Sequence, residues 1–278
     1  MTPIALGRHA QSAQEQLRDC TLCPHLCGTA RATAQGVCRV GVDSYIASEM
    51  IHVGEEAELS PTQAIFFSGC TATCRFCTAA AFAFRPTYGV RVTPAQLAAR
   101  IVRRQDEGVR TVSFIGGDPV PHIPFLLAVA AELGDRKRVP WVFNSNFYMT
   151  ATALDLLNPV IDIYLPDLKF GPATSVRDCG AELGGMPGYW DVVTAALTHV
   201  HRRGAALIVR HLLMPGHFEC CTLPVLDWLA ARPALRLSLL TQYLAPAHLK
   251  DHLAAPLAQA DVAAARQAVA KRQIELVR

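Results

Sequence analysis

From residue 64 onward, short apolar runs that read as strands alternate with segments whose apolar residues recur at helical spacing, which limits the chain to few architectures. Strand-like runs fall at 65–67, 111–115, 141–143, 161–165, 206–209 and 235–240. Thr93 and Pro94 supply an N-cap and a first-turn proline for a helix with the stripe Leu97, Ile101 and Val102, closed by Gly108. Helical patterns also cover 125–133, 151–157, 190–202, 223–231 and 258–271. Six such repeats predict parallel strands joined by right-handed crossovers: an α/β fold, a partial (β/α)6 TIM-like barrel over residues 61–278. Functional groups of such a barrel gather where its strands end. Polar residues stand at those exits: Gly116-Gly117-Asp118-Pro119, Asn144-Ser145-Asn146, Asp167 and Lys169, Arg210-His211, and Gln242-Tyr243.

Seven of the ten cysteines precede residue 78. Cys70, Cys74 and Cys77 form a C-x3-C-x2-C triplet just after the first apolar run. Three thiolates can hold three corners of a cubic [4Fe–4S] cluster and leave the fourth iron open to a substrate. Taken alone, the triplet also admits part of a zinc site or a ferredoxin-type cluster. Cys20, Cys23, Cys27 and Cys38 supply four more thiolates, enough for a tetrahedral zinc site or a fully ligated auxiliary iron–sulfur cluster, with His25 as a weaker ligand candidate. Residues 1–60 are therefore expected to be a small Cys-rich metal-binding module with an extended linker, turning at 54–56. Cys179 and the adjacent pair Cys220-Cys221 read as buried or loop thiols, because neighbouring residues do not face one side of an α-helix. The other option is a substrate-side thiol beyond Pro215-Gly216, with His217 and Glu219 as acid–base candidates.

A formal charge of +3 over 278 residues, without blocks of basic residues, argues against a nucleic-acid partner. No apolar stretch reaches the roughly 18–20 residues of a membrane span, and the first residues lack the apolar core of a signal peptide. Ten cysteines without a secretion signal point to metal binding in the reducing cytoplasm.

The chain resembles the radical S-adenosylmethionine (radical SAM) superfamily, especially the relatives of pyruvate formate-lyase activating enzyme that have an extra Cys-rich N-terminus. The triplet, Phe66-Phe67-Ser68-Gly69, Asp162 through Lys169, Val209 through Gly216, Gln242-Tyr243 and the N-terminal cysteine module carry the resemblance. It implies that Cys70, Cys74 and Cys77 hold a [4Fe–4S] cluster whose open iron chelates S-adenosylmethionine. An electron then cleaves the sulfonium, and a 5′-deoxyadenosyl radical takes hydrogen from a substrate. Phe76 would lie near the adenine, Gly116 and Gly117 would meet the amino group, and Asn144, Asp167 and Lys169 would contact ribose or amino acid. Arg210 would be a further contact. The resemblance identifies no catalytic acid or base. An electron donor such as flavodoxin or ferredoxin is implied, with either a protein, such as a glycyl-radical enzyme, or a small molecule as substrate. Two departures stand out: Asp118 replaces the usual glutamate of Gly-Gly-Glu-Pro, and no ferredoxin-like insertion follows Cys77. The competing class is a non-catalytic iron–sulfur electron-transfer or metal-binding protein.

Overall fold

The computed structural model describes residues 3–54 and 56–277. In chain order its helices are α1 (Pro3–Glu15), α2 (Ala80–Ala83), α3 (Pro94–Asp106), α4 (Ile123–Leu133), α5 (Ala151–Leu157), α6 (Cys179–Gly184), α7 (Tyr189–Arg202), α8 (Leu223–Ala230) and α9 (Gln259–Lys271). The strands are β1 (Tyr45–His52), β2 (Thr62–Phe67), β3 (Val90–Arg91), β4 (Thr111–Gly116), β5 (Trp141–Ser145), β6 (Ile163–Pro166), β7 (Ala206–Leu212) and β8 (Arg236–Leu240).

All eight strands join one open sheet in the order β3-β1-β2-β4-β5-β6-β7-β8. From β2 to β8 every pairing is parallel, so the six strands expected from the apolar runs all form. Parallel strands need a crossover, and helices between them supply it. Their interiors are apolar because both faces are covered. Phe67, Phe114, Trp141 and Phe143 are completely buried, each worth roughly 1.5–3 kcal/mol of apolar burial. Register then brings the strand exits level. Phe67 pairs with Gly116, Ser145 with Pro166, and Asp167 bridges to Arg210.

Local signals set α3 as expected. Thr93 caps Gln96 N, Gln96 returns a bond to Thr93 N, and Pro94 opens the helix. Past the end of that helix, Gly108 has φ +89°.

Three features lay outside the expectation. The extended segment expected within residues 1–60 forms β1, but it joins the sheet: antiparallel to β2 and flanked by β3, it lengthens the sheet beyond β2. Helix α1 lies on the barrel-side helices, with His9 Nε2 2.7 Å from Leu156 O and Gln14 donating to Pro124 O. The short α6 follows β6 and is capped by Asp178. Residues within 1–60 thus share both sheet and core with the rest of the chain, Leu22, Cys20 and Cys23 being buried in the same apolar cluster as Phe67. The turn expected at 54–56 includes Glu55, which is outside the described residues. Among the described residues no helix is long and apolar enough to cross a membrane.

Candidate functional site

A cavity of about 400 Å³ opens where the parallel strands end, within the range of small-molecule sites. Cys70, Cys74, Cys77, Phe76, Gly116, Gly117, Asn144, Asp167, Lys169 and Arg210 all line it. The ten residues picked out along this stretch of the chain are therefore brought to one place, although they come from five strand exits.

The triplet loop is held by its own backbone. Thr73 N donates to Gly184 O at 2.8 Å and Arg75 N to Leu183 O at 2.9 Å, which docks the loop on α6. Ala72 N donates to Cys70 Sγ at 3.3 Å. Burial pushes all three thiols up, Cys74 to about 11, while the Lys169 ammonium pulls each of them down. A cation beside three thiols favours the thiolate forms that a metal requires.

Lys169 is itself buried, which alone would lower its pKa. Asp167, with Oδ2 2.7 Å from Nζ, and the Cys74 thiol outweigh that and raise it. The pair is only 15% and 18% exposed, so it is a buried ion pair rather than a surface one. Tyr189 fixes its backbone: the phenol donates to Asp167 O at 2.5 Å and accepts from Lys169 N at 3.1 Å.

Gly116 and Gly117 answer a steric demand of the fold. A Cβ on Gly116 (φ +131°) would meet Phe67 N at 2.2 Å, and one on Gly117 would meet Gly69 O at 2.2 Å. Only glycine lets the ends of β2 and β4 close this tightly around the ligand loop. Gly117 N and Asp118 N return bonds to Phe67 O and Gly69 O.

Asp118 does not line the cavity; it ties the walls together from behind. Thr71 donates to its Oδ2 at 2.7 Å and Ser145 to its Oδ1 at 2.8 Å, linking the triplet loop to the end of β5. Burial raises its pKa to about 6, against the pull of those hydroxyls. Asn146, passed over in favour of Asn144, also lines the cavity, and its amide reaches Thr71 Oγ1 at 2.9 Å and Cys70 Sγ at 3.8 Å. Its position in the same strand exit was the available signal.

Arg210 is buried, and its Nε lies 3.1 Å from Glu56 Oε1, which also accepts from Ser238 Oγ at 2.7 Å. Nothing in the local sequence marks Glu56, since its partners lie more than 150 positions away. Phe76 forms an apolar wall with Phe170 and Tyr243, at ring distances of 6.0 and 6.5 Å.

The N-terminal cysteines also converge. Cys23 is raised to about 12, mainly by burial but also by repulsion from Cys38, Cys20 and Cys27. Arg31 donates to Cys20 Sγ at 3.0 Å and Val37 N to Cys27 Sγ at 3.4 Å. His25 points elsewhere, its Nε2 lying 2.8 Å from Thr71 O. Cys38 lines a second cavity of about 320 Å³ together with Cys70 and Cys74.

Cys179 and Cys221 are buried as expected and Cys220 is half-buried, but the adjacent pair does come together. The adjacent pair lies in a π-helical turn, Phe218–Thr222, whose wider spacing lets both thiols approach His217.

Three thiols, a buried cation and a cavity at the exits of the parallel strands make a site suited to a metal and a small cofactor. A family model described as the Radical SAM superfamily matches residues 64–229, and the chain belongs to that superfamily. Membership implies a [4Fe–4S] cluster and S-adenosylmethionine, and the thiols, the ammonium beside them and the cavity fit those groups. An uncharacterized protein of Methanocaldococcus jannaschii, MJ0674, is 33% identical over 234 residues, covering 82% of this chain and 66% of the relative. Among solved structures, Streptococcus suis SuiB bound to S-adenosylmethionine superposes with a TM-score of 0.54 at 15% identity, over 74% of this chain and 47% of SuiB. The native protein anSMEcpe with bound AdoMet and Cp18Cys peptide gives 0.52 at 12% identity, over 75% of this chain and 60% of its own. The chain thus spans just under two thirds of its sequence relative and about half of SuiB. At these identities the structural likeness is one of fold.

Proposed function

We propose that the protein cleaves S-adenosylmethionine reductively and uses the product to abstract hydrogen from a substrate, on a partial (β/α)6 barrel akin to pyruvate formate-lyase activating enzyme. The observation that carries this is the convergence of the triplet, Lys169, Asp167, Arg210 and the two glycines on one cavity. When bound, the cluster supplies one electron to the sulfonium, and the chemistry that follows belongs to the cofactors.

In this reading Cys70, Cys74 and Cys77 hold the cluster. The closely packed backbone at Gly116 and Gly117 receives the amino group, since its carbonyls accept from an ammonium. Asp167 and Lys169, locked as a pair by Tyr189, present one acceptor and one donor to the ribose and amino-acid carboxylate, with Asn144 beside them. Arg210, oriented by Glu56, adds a guanidinium suited to a carboxylate. Phe76 covers the adenine face. Asp118 and Asn146 position the ligand loop.

The substrate in this reading is a protein segment. Leu244, 69% exposed, and Phe84, 36% exposed, form an apolar rim to the cavity, as contact with a peptide requires. The solved structure of anSMEcpe holds a peptide alongside AdoMet.

The N-terminal quartet is read as an auxiliary iron–sulfur cluster that passes electrons inward from a flavodoxin or ferredoxin. Its support is the cavity shared by Cys38, Cys70 and Cys74. Residues 1–60 act as this electron-entry module and 61–278 as the catalytic domain, in a reducing cytoplasm.

The test is 5′-deoxyadenosine formation by anaerobically reconstituted protein with dithionite, beside Cys74→Ala. Product from wild type alone supports the reading. An intact, reducible cluster that yields no product, with or without candidate peptides, returns the protein to the electron-transfer class.

A further inference from the structure

Cys179, His217, Cys220 and Cys221 present four ligand atoms that all lie within 4.8 Å of one another. Among the described residues neither the triplet nor the N-terminal quartet draws together so closely. His217 Nδ1 stands 3.8 Å from Cys179 Sγ, 3.4 Å from Cys220 Sγ and 3.9 Å from Cys221 Sγ, and the two adjacent sulfurs are 3.8 Å apart. Around one tetrahedral zinc ion, with sulfur at about 2.3 Å and nitrogen at about 2.0–2.1 Å, ligand atoms stand roughly 3.8 Å apart sulfur to sulfur and roughly 3.5 Å sulfur to nitrogen. Four of the six separations lie within about 0.4 Å of those edges, and the other two, from Cys179 Sγ to the adjacent sulfurs, are at most 4.8 Å. Thiolates on the corners of a cubic cluster are held farther apart by the cluster itself. The dimensions therefore fit a single ion.

We propose that Cys179, His217, Cys220 and Cys221 form a closed Cys3His zinc site at the barrel rim, separate from the S-adenosylmethionine cavity.

Three further observations support it. None of the four residues lines either cavity. His217 Nε2 lies 3.0 Å from His252 Nε2, so with Nδ1 on the metal the outer nitrogen keeps its proton and donates to His252, the arrangement that orients ligating histidines. Cys179, His217 and Cys221 are buried while Cys220 is half-buried, which leaves an entry path on one side. Three thiols clustered away from water are costly to ionise without a cation. Binding releases their three protons and leaves one net negative charge.

The site staples segments far apart in sequence. Cys179 opens α6, the helix on which the triplet loop docks, whereas His217, Cys220 and Cys221 follow β7. Gly171, two positions after Lys169, passes so close that a Cβ there would meet Cys220 O at 2.0 Å. Four protein ligands leave no open position, so the ion is structural.

The test uses full-length, cluster-loaded protein produced with zinc in the medium. Metal content per chain is measured for wild type, for Cys23→Ser/Cys27→Ser, which disables the quartet, and for His217→Ala/Cys220→Ser. About one zinc should persist in the quartet variant and fall at least tenfold in the His217/Cys220 variant, with triplet iron retained. Because the second variant alters a buried residue, zinc X-ray absorption on the quartet variant provides a measurement that leaves the site intact. Three sulfurs at about 2.3 Å and one imidazole nitrogen are expected. A quartet variant without stoichiometric zinc, or with an all-sulfur shell, overturns the proposal.

Discussion

Lys169→Met removes the cation 2.7 Å from Asp167 Oδ2 in a site where both side chains are less than a fifth exposed. At an effective dielectric constant of about 20, their Coulomb attraction is about 6 kcal/mol. Desolvation of both charges cancels much of this. Breaking a fully buried pair typically costs about 3–5 kcal/mol because the remaining charge is stranded, whereas an exposed pair is worth about 1 kcal/mol or less. The residual exposure here places the loss at roughly 2–3 kcal/mol. Asp167→Asn/Lys169→Met removes the stranded carboxylate as well, so the double variant should be more stable than the sum of the singles implies, by about 2 kcal/mol. Anaerobic urea unfolding of the four proteins measures this coupling directly. S-adenosylmethionine affinity, measured on the same set, should fall at least tenfold in each single variant, about 1.4 kcal/mol of binding. Additive stability losses would refute the buried-pair account. An unchanged affinity would remove both residues from the binding site.

Tyr189→Phe takes the phenol from a part-buried carbonyl and a part-buried N–H, and the loss should be roughly 1–2 kcal/mol in urea unfolding, with weaker S-adenosylmethionine binding. For Asp118, the rise from 3.8 to about 6 is what remains of the burial cost after the bonds from Thr71 and Ser145 have lowered it, so those bonds do not repay the burial in full. Asp118→Ala should therefore lose only about 1–2 kcal/mol yet retain iron poorly, whereas Asp118→Asn, which still bridges Thr71 and Ser145, should retain it; equal iron in both would refute the clamp. His122 and His211 are buried neutral, with pKa values lowered from 6.5 to about 3 and about 4. Below about pH 6.5 the unfolded chain binds protons that the folded chain refuses, so their contribution is lost as pH falls, at about 1.4 kcal/mol per pH unit each. Asp118 works in the opposite sense between about 6 and 3.8, leaving a net loss of roughly 2 kcal/mol from pH 6.5 to 5, visible as a lower urea midpoint.

Short-range pattern made much of this protein legible without coordinates. The triplet occupies eight consecutive residues, so its spacing alone limits what it can hold. The six parallel strands and the capped helix α3 follow from apolar period and N-terminal capping, both local properties. Residues at successive strand exits were placed on one cavity because a parallel sheet brings its strand ends level. The antiparallel edge was harder to see: β3 is two exposed residues long and has no periodicity to detect. Helix α1 is similarly faint, since little of its sequence forms an apolar stripe.

Tertiary structure decided the rest because the partners are distant in sequence. Glu56 reaches Arg210 and Ser238 only after the sheet forms. Asp118, which in sequence is only a departure from the usual glutamate, is a brace between two loops because register puts Thr71 on one side of it and Ser145 on the other. Adjacent thiols at 220 and 221 converge because the chain there takes a π turn, and Cys179 joins them across an intervening helix and strand. Spacing within a few residues could name the cluster loop. A site assembled from separate segments depends on backbone geometry that exists only once the core has packed.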